Sequence, residues 1–412
     1  MRWRIALLVS AAIAISYLDR QTLPVAVKAI SYDIPLSNEQ FSFLQSAFLL
    51  AYAFMYAGGG KLSDILGTRR GFFGIMLFWS LACASHSLAL TFGMLAGSRF
   101  LLGLGEGGGF PAATRAVAEW FPVKERATAM GIINAGTAVG AVVAPPLIAS
   151  ILLLANWRWI FVVAGLMGLI WAICWRVYYR TPQLEETGAT SVSERTTGAK
   201  IHWLELLQIR ETWALVIAKF LSDAAWYFYL FWLPKYLYDA RGFDIKAVGK
   251  FAWIPYSAAG LGCLLGGGFS SYLVRKGTSL GTARKAALGA SAAVMPLILL
   301  VPHVRVSWAL ALFSIAYFGQ QSWSTLVMVL PTDLFPREVV GSVAGLVGFG
   351  GAMGGIAFGE LVGYLLDHGA GYGPVFAMAG SFHVSAFIII LIAIPVVGPV
   401  LLRSSLRYEG VI

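Results

Sequence analysis

Six ionisable residues interrupt stretches of this chain that are otherwise apolar enough to form membrane-spanning helices. They are Asp19, Arg20, Arg99, Glu106, Lys219 and Asp223. A charge at the centre of a bilayer costs roughly 2.5–3.5 kcal/mol even on the insertion scale that gives the lowest values. Such side chains normally face the protein interior or a watery cavity, so they indicate a site that handles a charged solute.

Four of these residues form two pairs that could bind an anion. Arg99 and Glu106 are seven positions apart, or two helical turns, so they project from about the same face ~10 Å apart. Asp19 and Arg20 are adjacent and point ~100° apart, so one can contact a helix while the other faces a cavity. A guanidinium fork binds a carboxylate through two hydrogen bonds. The alternatives are a structural ion pair for the first pair and a capping or packing role for the second.

The two acids, Asp19 and Glu106, could also exchange protons. Desolvation favours the neutral form of a carboxyl group, whereas a nearby arginine favours the ionised form. Because both influences change when a cavity opens or closes, a carboxyl group beside an arginine can couple proton binding to conformation.

The rest of the chain has the composition of a membrane protein. Of its 412 residues, 58% are hydrophobic and 12% are charged, whereas a soluble domain carries about 25% charged residues. The mean hydropathy is +0.75. Windows of about 20 apolar residues, the length of a spanning helix, leave no room for a separate soluble domain. The three cysteines have neither metal-ligand spacing nor the pattern of a disulfide framework.

These windows predict an all-α membrane protein with twelve transmembrane helices in two six-helix bundles. The predicted spans are residues 5–27, 41–61, 71–90, 93–115, 127–150, 157–178, 211–237, 248–272, 285–302, 305–330, 339–366 and 374–402. The polar segment 181–200 has the composition of a flexible linker. We therefore expect an N-terminal bundle over 1–180, a cytoplasmic linker over 181–210 and a C-terminal bundle over 211–412.

The net charge of +10 is distributed unevenly among the loops. Basic residues concentrate in one set of alternate loops and are few in the opposite set, which is the positive-inside pattern. This pattern places both termini and the linker in the cytoplasm and argues against a nucleic-acid partner. The apolar N-terminal run resembles a secretion signal, but Asp19 and Arg20 interrupt it and no small-x-small cleavage site is evident. We therefore expect no cleaved signal peptide.

Two motifs recur at matching places in the two halves. The first is Glu-Trp-Phe-Pro at 119–122 with later glycines at 131, 136 and 140, matched by Asp-Leu-Phe-Pro at 333–336 with glycines at 345, 350 and 354. Their offset is constant at 214 residues, about half the chain. A second, looser match relates residues 60–70 to 267–276. A parallel repeat of this kind is typical of two-bundle transporters with a site at the repeat interface near the bilayer midplane.

The motifs also carry a family resemblance that covers nearly the whole chain. The pattern Gly-x-x-x-Asp-x-x-Gly-x-Arg-Arg at 60–70 resembles the loop signature of the major facilitator superfamily, with Ile65 in place of its usual basic residue. The segments 16–20, 99–107 and 228–237 are similar to the anion:cation symporter family, which includes bacterial hexuronate and galactonate transporters and the sialin-type carriers. Gly-Gln-Gln-Ser-Trp-Ser at 319–324 resembles the hexuronate branch.

This resemblance implies roles for the charged residues. Arg20 is expected to hold the substrate carboxylate, and Arg99 to contact the substrate or pair with the acids. Asp19 and Glu106 are expected to carry the coupling protons. Asp64 with Arg69 and Arg70, at a cytoplasmic helix end, is expected to act as a conformational latch; the alternative, topology alone, accounts for the arginines only.

The resemblance also implies polar substrate contacts in the first bundle, and polar residues that interrupt the apolar run of span ten indicate others. The predicted set is Tyr17, Tyr52, Thr137, Gln320, Gln321 and Trp323. Tyrosine hydroxyls suit sugar hydroxyls, and a tryptophan face suits stacking on a sugar ring. Core packing for the tyrosines and interhelical hydrogen bonding for residues 320–323 remain alternatives. The family often has an asparagine in span eleven, where this chain has glycine and alanine at 348–352.

Two further features have interpretations without a substrate. Lys219 and Asp223 stand at i, i+4 and can neutralise each other along one helix, which favours a structural or gating pair over substrate contact. The sequence Gly-x-Gly-x-x-Gly at 103–108 lies inside a predicted span with no preceding strand, which argues against a nucleotide-binding fold. Small residues there allow helices to approach closely.

We therefore expect a monomeric, multi-pass transporter of the bacterial inner membrane, not an enzyme. It would import a sugar-acid anion, in the first instance a hexuronate, with protons by alternating access, and use no cofactor or metal. Three alternatives stay open: a carrier of another organic anion (an aldonate, an aromatic acid or a dicarboxylate), an organic phosphate antiporter, and a membrane-embedded enzyme or receptor.

Overall fold

A computed structural model describes residues 2–121, 123–180, 203–335, 337–398 and 400, with the side chains of all of these except 56–65, 123, 124, 126–128, 203, 204, 337 and 338. All the regular secondary structure over this part of the chain is helical, which confirms the predicted all-α class. The predicted linker falls largely outside it.

The helices of the first half are α1 (Arg2–Asp33), α2 (Asn38–Ser85), α3 (Phe92–Gly107), α4 (Gly109–Trp120), α5 (Val123–Leu154) and α6 (Arg158–Tyr178), with a 3-10 turn at His86–Leu88. The second half has α7 (Trp203–Leu206), α8 (Arg210–Asp239), α9 (Ile245–Phe251), α10 (Trp253–Arg275), α11 (Leu280–Ala293), a 3-10 segment at Met295–His303, α12 (Val306–Leu334), α13 (Arg337–Asp367) and α14 (Tyr372–Ala393).

Helix α2 contains two of the predicted spans. Its continuity is broken at Gly67, whose φ of 74° and ψ of 155° are not helical. Only glycine adopts a positive φ of this kind at little cost. The break falls between the predicted spans 41–61 and 71–90, as the loop motif around this glycine predicts.

Eight helical segments of the described chain are long and apolar enough to cross a membrane. The four predicted spans outside this set lie in α1, in the first part of α2, across α3 and α4, and in α12. Most of the predicted site residues lie in these four spans, among them Asp19, Tyr52, Glu106 and Gln320.

The chain forms two compact units. Unit 1 comprises the described residues up to 180 together with Tyr229–Ser257 and Gly359–Gly369. Unit 2 comprises the described residues of Ser193–Phe228, then Ala258–Phe358, and those from Ala370 onward. Unit 1 thus takes in two segments from the second half of the sequence. The predicted division into 1–180, 181–210 and 211–412 stays a prediction.

Unit 1 is built around two helix contacts, α1 with α5 and α2 with α3. In the first contact, Gly136 and Gly140 of α5 lie directly against the backbone carbonyls of Ser10 and Ala14. A side chain at either glycine would collide with α1. The close contact brings the charged middle of α1 within reach of the rest of the unit.

Unit 2 repeats this packing. Gly350 and Gly354 of α13 lie against the backbone of Val216 and Phe220 of α8. These glycines stand 214 positions after Gly136 and Gly140, at the offset of the sequence motifs. The internal repeat is therefore a repeated helix-packing arrangement.

Candidate functional site

Helix α1 buries a run of polar residues in the middle of unit 1. Ser16, Asp19, Arg20 and Gln21 are all at most 4% exposed. Neighbouring positions on a helix point in different directions, so this run contacts α2 and α3 on separate sides. The adjacent charged side chains of Asp19 and Arg20 therefore lie in two different environments.

Arg20 forms a buried ion pair with α3. Its Nε donates to Oε2 of Glu106 over 2.8 Å, and both side chains are almost fully buried. The Ser16 hydroxyl donates to the same oxygen over 2.6 Å. A pair with this little access to water needs additional hydrogen bonds to offset its desolvation, and Ser16 supplies one of them.

Aromatic rings surround the Arg20 guanidinium. The Cζ atom lies 4.8 Å from the ring centroid of Tyr17, 4.6 Å from that of Tyr52 and 5.4 Å from that of Phe48. Cation–π attraction holds a guanidinium at such distances. Both predicted tyrosines are thus beside the predicted anion-binding arginine, although their contact with a solute stays a prediction.

Asp19 faces the second part of α2. The indole Nε1 of Trp79 donates to its Oδ2 over 2.6 Å. The thiol of Cys83, one turn further along α2, lies near this carboxyl group and interacts with it electrostatically. Oδ1 has no hydrogen-bond partner among the described residues.

Arg99 is the most unusual group in unit 1. Its side chain is fully buried, and within the described part of the chain none of its three guanidinium nitrogens has a hydrogen-bond partner. The ring of Phe48 lies 6.0 Å from its Cζ. Buried polar groups are normally hydrogen-bonded, so an arginine without such bonds among the described residues requires an explanation. It has five N–H donors for an anionic ligand.

Glycines of α3 make room for these contacts. A Cβ atom at Gly103 would collide with the backbone carbonyl of Phe48, and one at Gly105 would lie 2.7 Å from Cα of Trp79. The Gly-x-Gly-x-x-Gly segment therefore allows both parts of α2 to approach α3, in agreement with its interpretation as a packing motif.

The sequence prediction of this cluster lacks Ser16 and Phe48, and it also lacks three residues of α2: Trp79, Cys83 and His86. They stand at i, i+4 and i+7 and therefore share one face of the second part of α2. His86 is fully buried, stacks on Phe161 with centroids 4.7 Å apart, and interacts electrostatically with Arg99. Their helical spacing in an otherwise apolar span is the signal that could have identified them.

The predicted residues of α12 lie in unit 2. The carbonyl oxygen of Gln320 contacts Nε2 of His383 on α14, and Trp323 packs edge-to-face on the same His383 ring with centroids 5.5 Å apart. Gln320 and Trp323 are fully buried, and Trp323 belongs to the hydrophobic core of this unit. These contacts correspond to the alternative role of interhelical hydrogen bonding and packing. Contact of Gln320 and Trp323 with a substrate stays a prediction.

Two other predicted substrate contacts have local partners. The Thr137 hydroxyl donates to the carbonyl oxygen of Asn134 within α5 over 2.7 Å. Gln321 is half-buried, and its backbone carbonyl accepts from Thr325. Neither contact indicates a role beyond its own helix.

Lys219 and Asp223 form the ion pair that their spacing predicts. The Lys219 Nζ donates to Oδ1 of Asp223 over 2.9 Å and to the hydroxyl of Ser324 on α12 over 2.8 Å. Gly351 of α13 packs against the Asp223 carboxylate. The pair is therefore enclosed by three helices of unit 2.

The predicted latch is only partly described. The side chain of Asp64 lies outside the described residues, Arg70 is exposed, and Arg69 donates to the backbone carbonyl of Arg176 over 2.9 Å. A stronger cluster lies nearby, where Thr68 and Tyr179 each donate to Glu119 over 2.5 Å.

Burial, together with this hydrogen bond to Glu119, raises the pKa of the Tyr179 phenol. Tyr179 therefore remains a hydrogen-bond donor to Glu119. Across the described chain, no group of three or more His, Cys, Asp or Glu side chains is placed to hold a metal ion.

Comparison with protein families and curated relatives agrees with this geometry. The family model described as Major Facilitator Superfamily matches residues 9–359. The chain is 31% identical to the hexuronate transporter of Escherichia coli strain K12 over 405 residues, which cover 95% of this chain and 93% of that protein. It is 31% identical to the galacturonate transporter of Dickeya chrysanthemi over 278 residues, which cover 65% of this chain and 81% of that protein.

Solved structures share the fold. A D-xylose–proton symporter superposes with a TM-score of 0.73 at 15% identity, over 94% of this chain and 97% of that one. An inward-facing bacterial homologue of the human lysosomal transporter Spinster superposes with a TM-score of 0.73 at 17% identity, over 95% of each chain.

Proposed function

Because the chain belongs to the major facilitator superfamily, and is therefore a membrane transporter and not an enzyme, we propose that it imports a sugar-acid anion by proton symport. The proposed substrate is a hexuronate, and the proposed mechanism is alternating access. The observation that carries the proposal is the buried pair of arginines beside two buried acids in unit 1.

The arginines supply the anion site. Arg99 offers donors without hydrogen-bond partners among the described residues, and Arg20 lies in a ring of aromatic side chains. A carboxylate matches the planar fork of a guanidinium. The tyrosines beside Arg20 provide apolar faces and hydroxyl tips, which suit a substrate with a sugar ring as well as a charge. We propose Arg20, Arg99, Tyr17 and Tyr52 as the substrate contacts in unit 1.

Glu106 connects this site to protons. It now accepts a hydrogen bond from Arg20, so it competes with a substrate carboxylate for the same guanidinium. Protonation of Glu106 removes its charge and releases Arg20 for the substrate. Substrate and proton would thus bind together, as symport requires.

Asp19 is the second proposed proton carrier. It is as deeply buried as Glu106, and the two acids together allow up to two protons for each substrate. A monoanion that enters with two protons carries one net positive charge inward. Each such charge gains roughly 2.3 kcal/mol per 100 mV of membrane potential, which is enough to drive accumulation.

The loop charges support a location and an orientation. We propose the bacterial inner membrane, with both termini in the cytoplasm, because the basic residues concentrate in the loops on that side. We propose a monomer with no cofactor other than the coupled proton.

The choice of a hexuronate rests on the relatives named above, whose identity of about 30% extends over most of the chain. A D-galactonate transporter of Escherichia coli O6:H1 is 29% identical over 395 residues, covering 90% of this chain and 91% of that protein. Aldonates are therefore the main alternative substrate class.

Uptake of labelled D-galacturonate into proteoliposomes tests the proposal. We expect accumulation under an inward proton gradient, its loss on addition of an uncoupler, and competition by glucuronate. If galactonate or an aromatic acid competes more strongly than glucuronate, the substrate is an aldonate or an aromatic acid and not a hexuronate. Gradient-independent exchange that is inhibited by a sugar phosphate would contradict symport and favour an organic phosphate antiporter.

A further inference from the structure

One face of the second part of α2 contacts the proposed proton site but has no role in the proposed transport cycle. Trp79 and Cys83 lie on this face, are completely buried and both approach the Asp19 carboxyl group. Neither carries a charge at neutral pH, so neither can bind the substrate anion through a salt bridge.

The indole of Trp79 is a donor without acceptor capacity. Its hydrogen bond to Asp19, 2.6 Å long, is therefore strongest when Asp19 is ionised, because hydrogen bonds to a charged acceptor are about twice as strong as neutral ones. The Cys83 thiol can act in the same direction as a weaker donor. Both side chains thus oppose the protonation of Asp19.

The indole is held in place by packing. Gly105 lies directly against Cα and Cβ of Trp79, and Gly109 lies near its ring, where a Cβ atom would be 3.6 Å from Cζ3. A larger residue at 105 would push the indole away from Asp19. The sequence of α3 therefore positions a donor that belongs to α2.

Other charged and titratable groups face Asp19 from each neighbouring helix. Glu106 and Arg99 of α3 interact with it electrostatically, the first against and the second in favour of its ionised form. Cys83 approaches from α2, and Arg20 is its neighbour on α1. Because these charges oppose one another, a single well-placed hydrogen-bond donor can shift the balance between the ionised and protonated forms of Asp19.

We propose that Trp79, assisted by Cys83, is a positioning residue that sets the pH at which Asp19 takes up and releases its coupling proton. This inference rests on the proposed function, in which Asp19 carries a proton. It assigns to an apolar span of the sequence the role of tuning that proton site.

The test compares two tryptophan variants by the pH profile of D-galacturonate uptake into proteoliposomes. Trp79→Phe keeps an aromatic ring but removes the N–H donor, so Asp19 should be protonated more easily. We expect the alkaline limb of the profile to move to higher pH by about one unit, roughly a tenfold change in proton affinity. Trp171→Phe is the matched control, because its indole donates to the backbone carbonyl of Leu8 over 2.7 Å instead.

A second pair of variants protects the test against misfolding. Cys83→Ala removes the weaker donor, so it should move the alkaline limb of the profile to higher pH by less than Trp79→Phe does. Cys83→Ser keeps a donor at this position and should restore the wild-type profile. A profile that coincides with wild type in both Trp79→Phe and Cys83→Ala, or moves equally in Trp171→Phe, would overturn the proposal.

A transport-independent measurement separates this inference from the proposed function. Infrared titration of the purified protein follows the carbonyl band of protonated carboxyl groups, and Asp19→Asn identifies the contribution of Asp19. If wild type fails to take up galacturonate, the proposed substrate is wrong. The same titration then still decides whether Trp79→Phe moves the Asp19 midpoint to higher pH, as expected, or leaves it unchanged, which would refute the inference.

Discussion

Unit 1 and unit 2 share a packing scaffold but bury their charges differently. In both units a pair of glycines lets two helices touch, at positions 214 residues apart. In unit 1 the charges come from two helices, with Arg20 of α1 paired to Glu106 of α3. In unit 2 the more deeply buried ion pair, Lys219 with Asp223, lies within one turn of α8. A less buried pair joins Arg284 of α11 to Asp333 at the end of α12.

The charges of unit 1 are absent from the matching positions of unit 2. The residue 214 positions after Glu106 is Gln320. The glycine contacts relate α1 to α8 by 206 positions, which places Ala225 opposite Asp19 and Trp226 opposite Arg20. The two units therefore share their helix packing, but only unit 1 has ionisable residues at these matching positions.

This difference has a mechanical consequence. An ion pair between two helices breaks when the helices shift or when a solute competes for one partner. An i, i+4 pair moves with its helix as one body. We therefore propose that proton coupling depends on unit 1 and that Lys219 with Asp223 provides structural support, and four predictions test this contrast.

Replacement of the interhelix arginine should have the largest effect. Arg20→Ala removes the guanidinium fork and leaves Glu106 without its charged partner, so binding and transport of D-galacturonate should both be lost. Truncating a buried charged contact costs about 2–5 kcal/mol, which weakens binding by roughly thirtyfold to several thousandfold. Calorimetric titration of the purified protein measures this.

The control for that variant keeps the charge. Arg20→Lys should bind measurably better than Arg20→Ala but less well than wild type, because lysine lacks the fork. Wild-type affinity in Arg20→Ala would remove Arg20 from the anion site.

Conversion of unit 1 toward the sequence of unit 2 should uncouple transport. Glu106→Gln introduces the residue that stands at the matching position 320, and it removes one proton site while retaining hydrogen-bonding capacity. We expect exchange of galacturonate to persist and proton-driven accumulation to disappear in proteoliposomes. Full gradient-driven uptake by this variant would contradict the coupling role.

The Lys219–Asp223 pair of unit 2 should affect stability more than coupling. Lys219→Ala leaves Asp223 buried without its partner, and breaking such a pair costs about 3–5 kcal/mol. The double variant Lys219→Ala, Asp223→Ala should be more stable than either single variant. Thermal unfolding of the purified proteins checks this order, and normal stability together with lost accumulation in the double variant would assign coupling to unit 2 as well.

The scaffold itself should respond equally in the two units. Gly140→Ala and Gly354→Ala each place a methyl group against a backbone carbonyl of the facing helix. We expect each to lower stability by about 1–3 kcal/mol, the usual cost of overpacking. A large difference between the two melting temperatures would show that the repeated contacts are not equivalent.

Much of this architecture follows from the sequence. Apolar windows predict the all-helical fold, and Gly67 marks the break between two spans in α2. The spacing of Lys219 and Asp223 predicts their pairing.

In contrast, Trp79 and Cys83 have apolar character and enter the site only because α2 packs on α1 and α3. Gln320 and Trp323 show the converse, since their polar groups turn toward His383 within the core of unit 2.

By itself, the sequence determined which residues carry charge at bilayer depth, where the chain repeats, and which segments are apolar enough to span, because these properties depend on composition and local spacing. Only the tertiary structure decided that Arg20 pairs with Glu106, that Asp19 meets Trp79, and that Arg99 keeps its donors free of hydrogen bonds within the described chain. The physical reason is that a helix offers several faces, and the choice among them depends on neighbours that are distant in sequence.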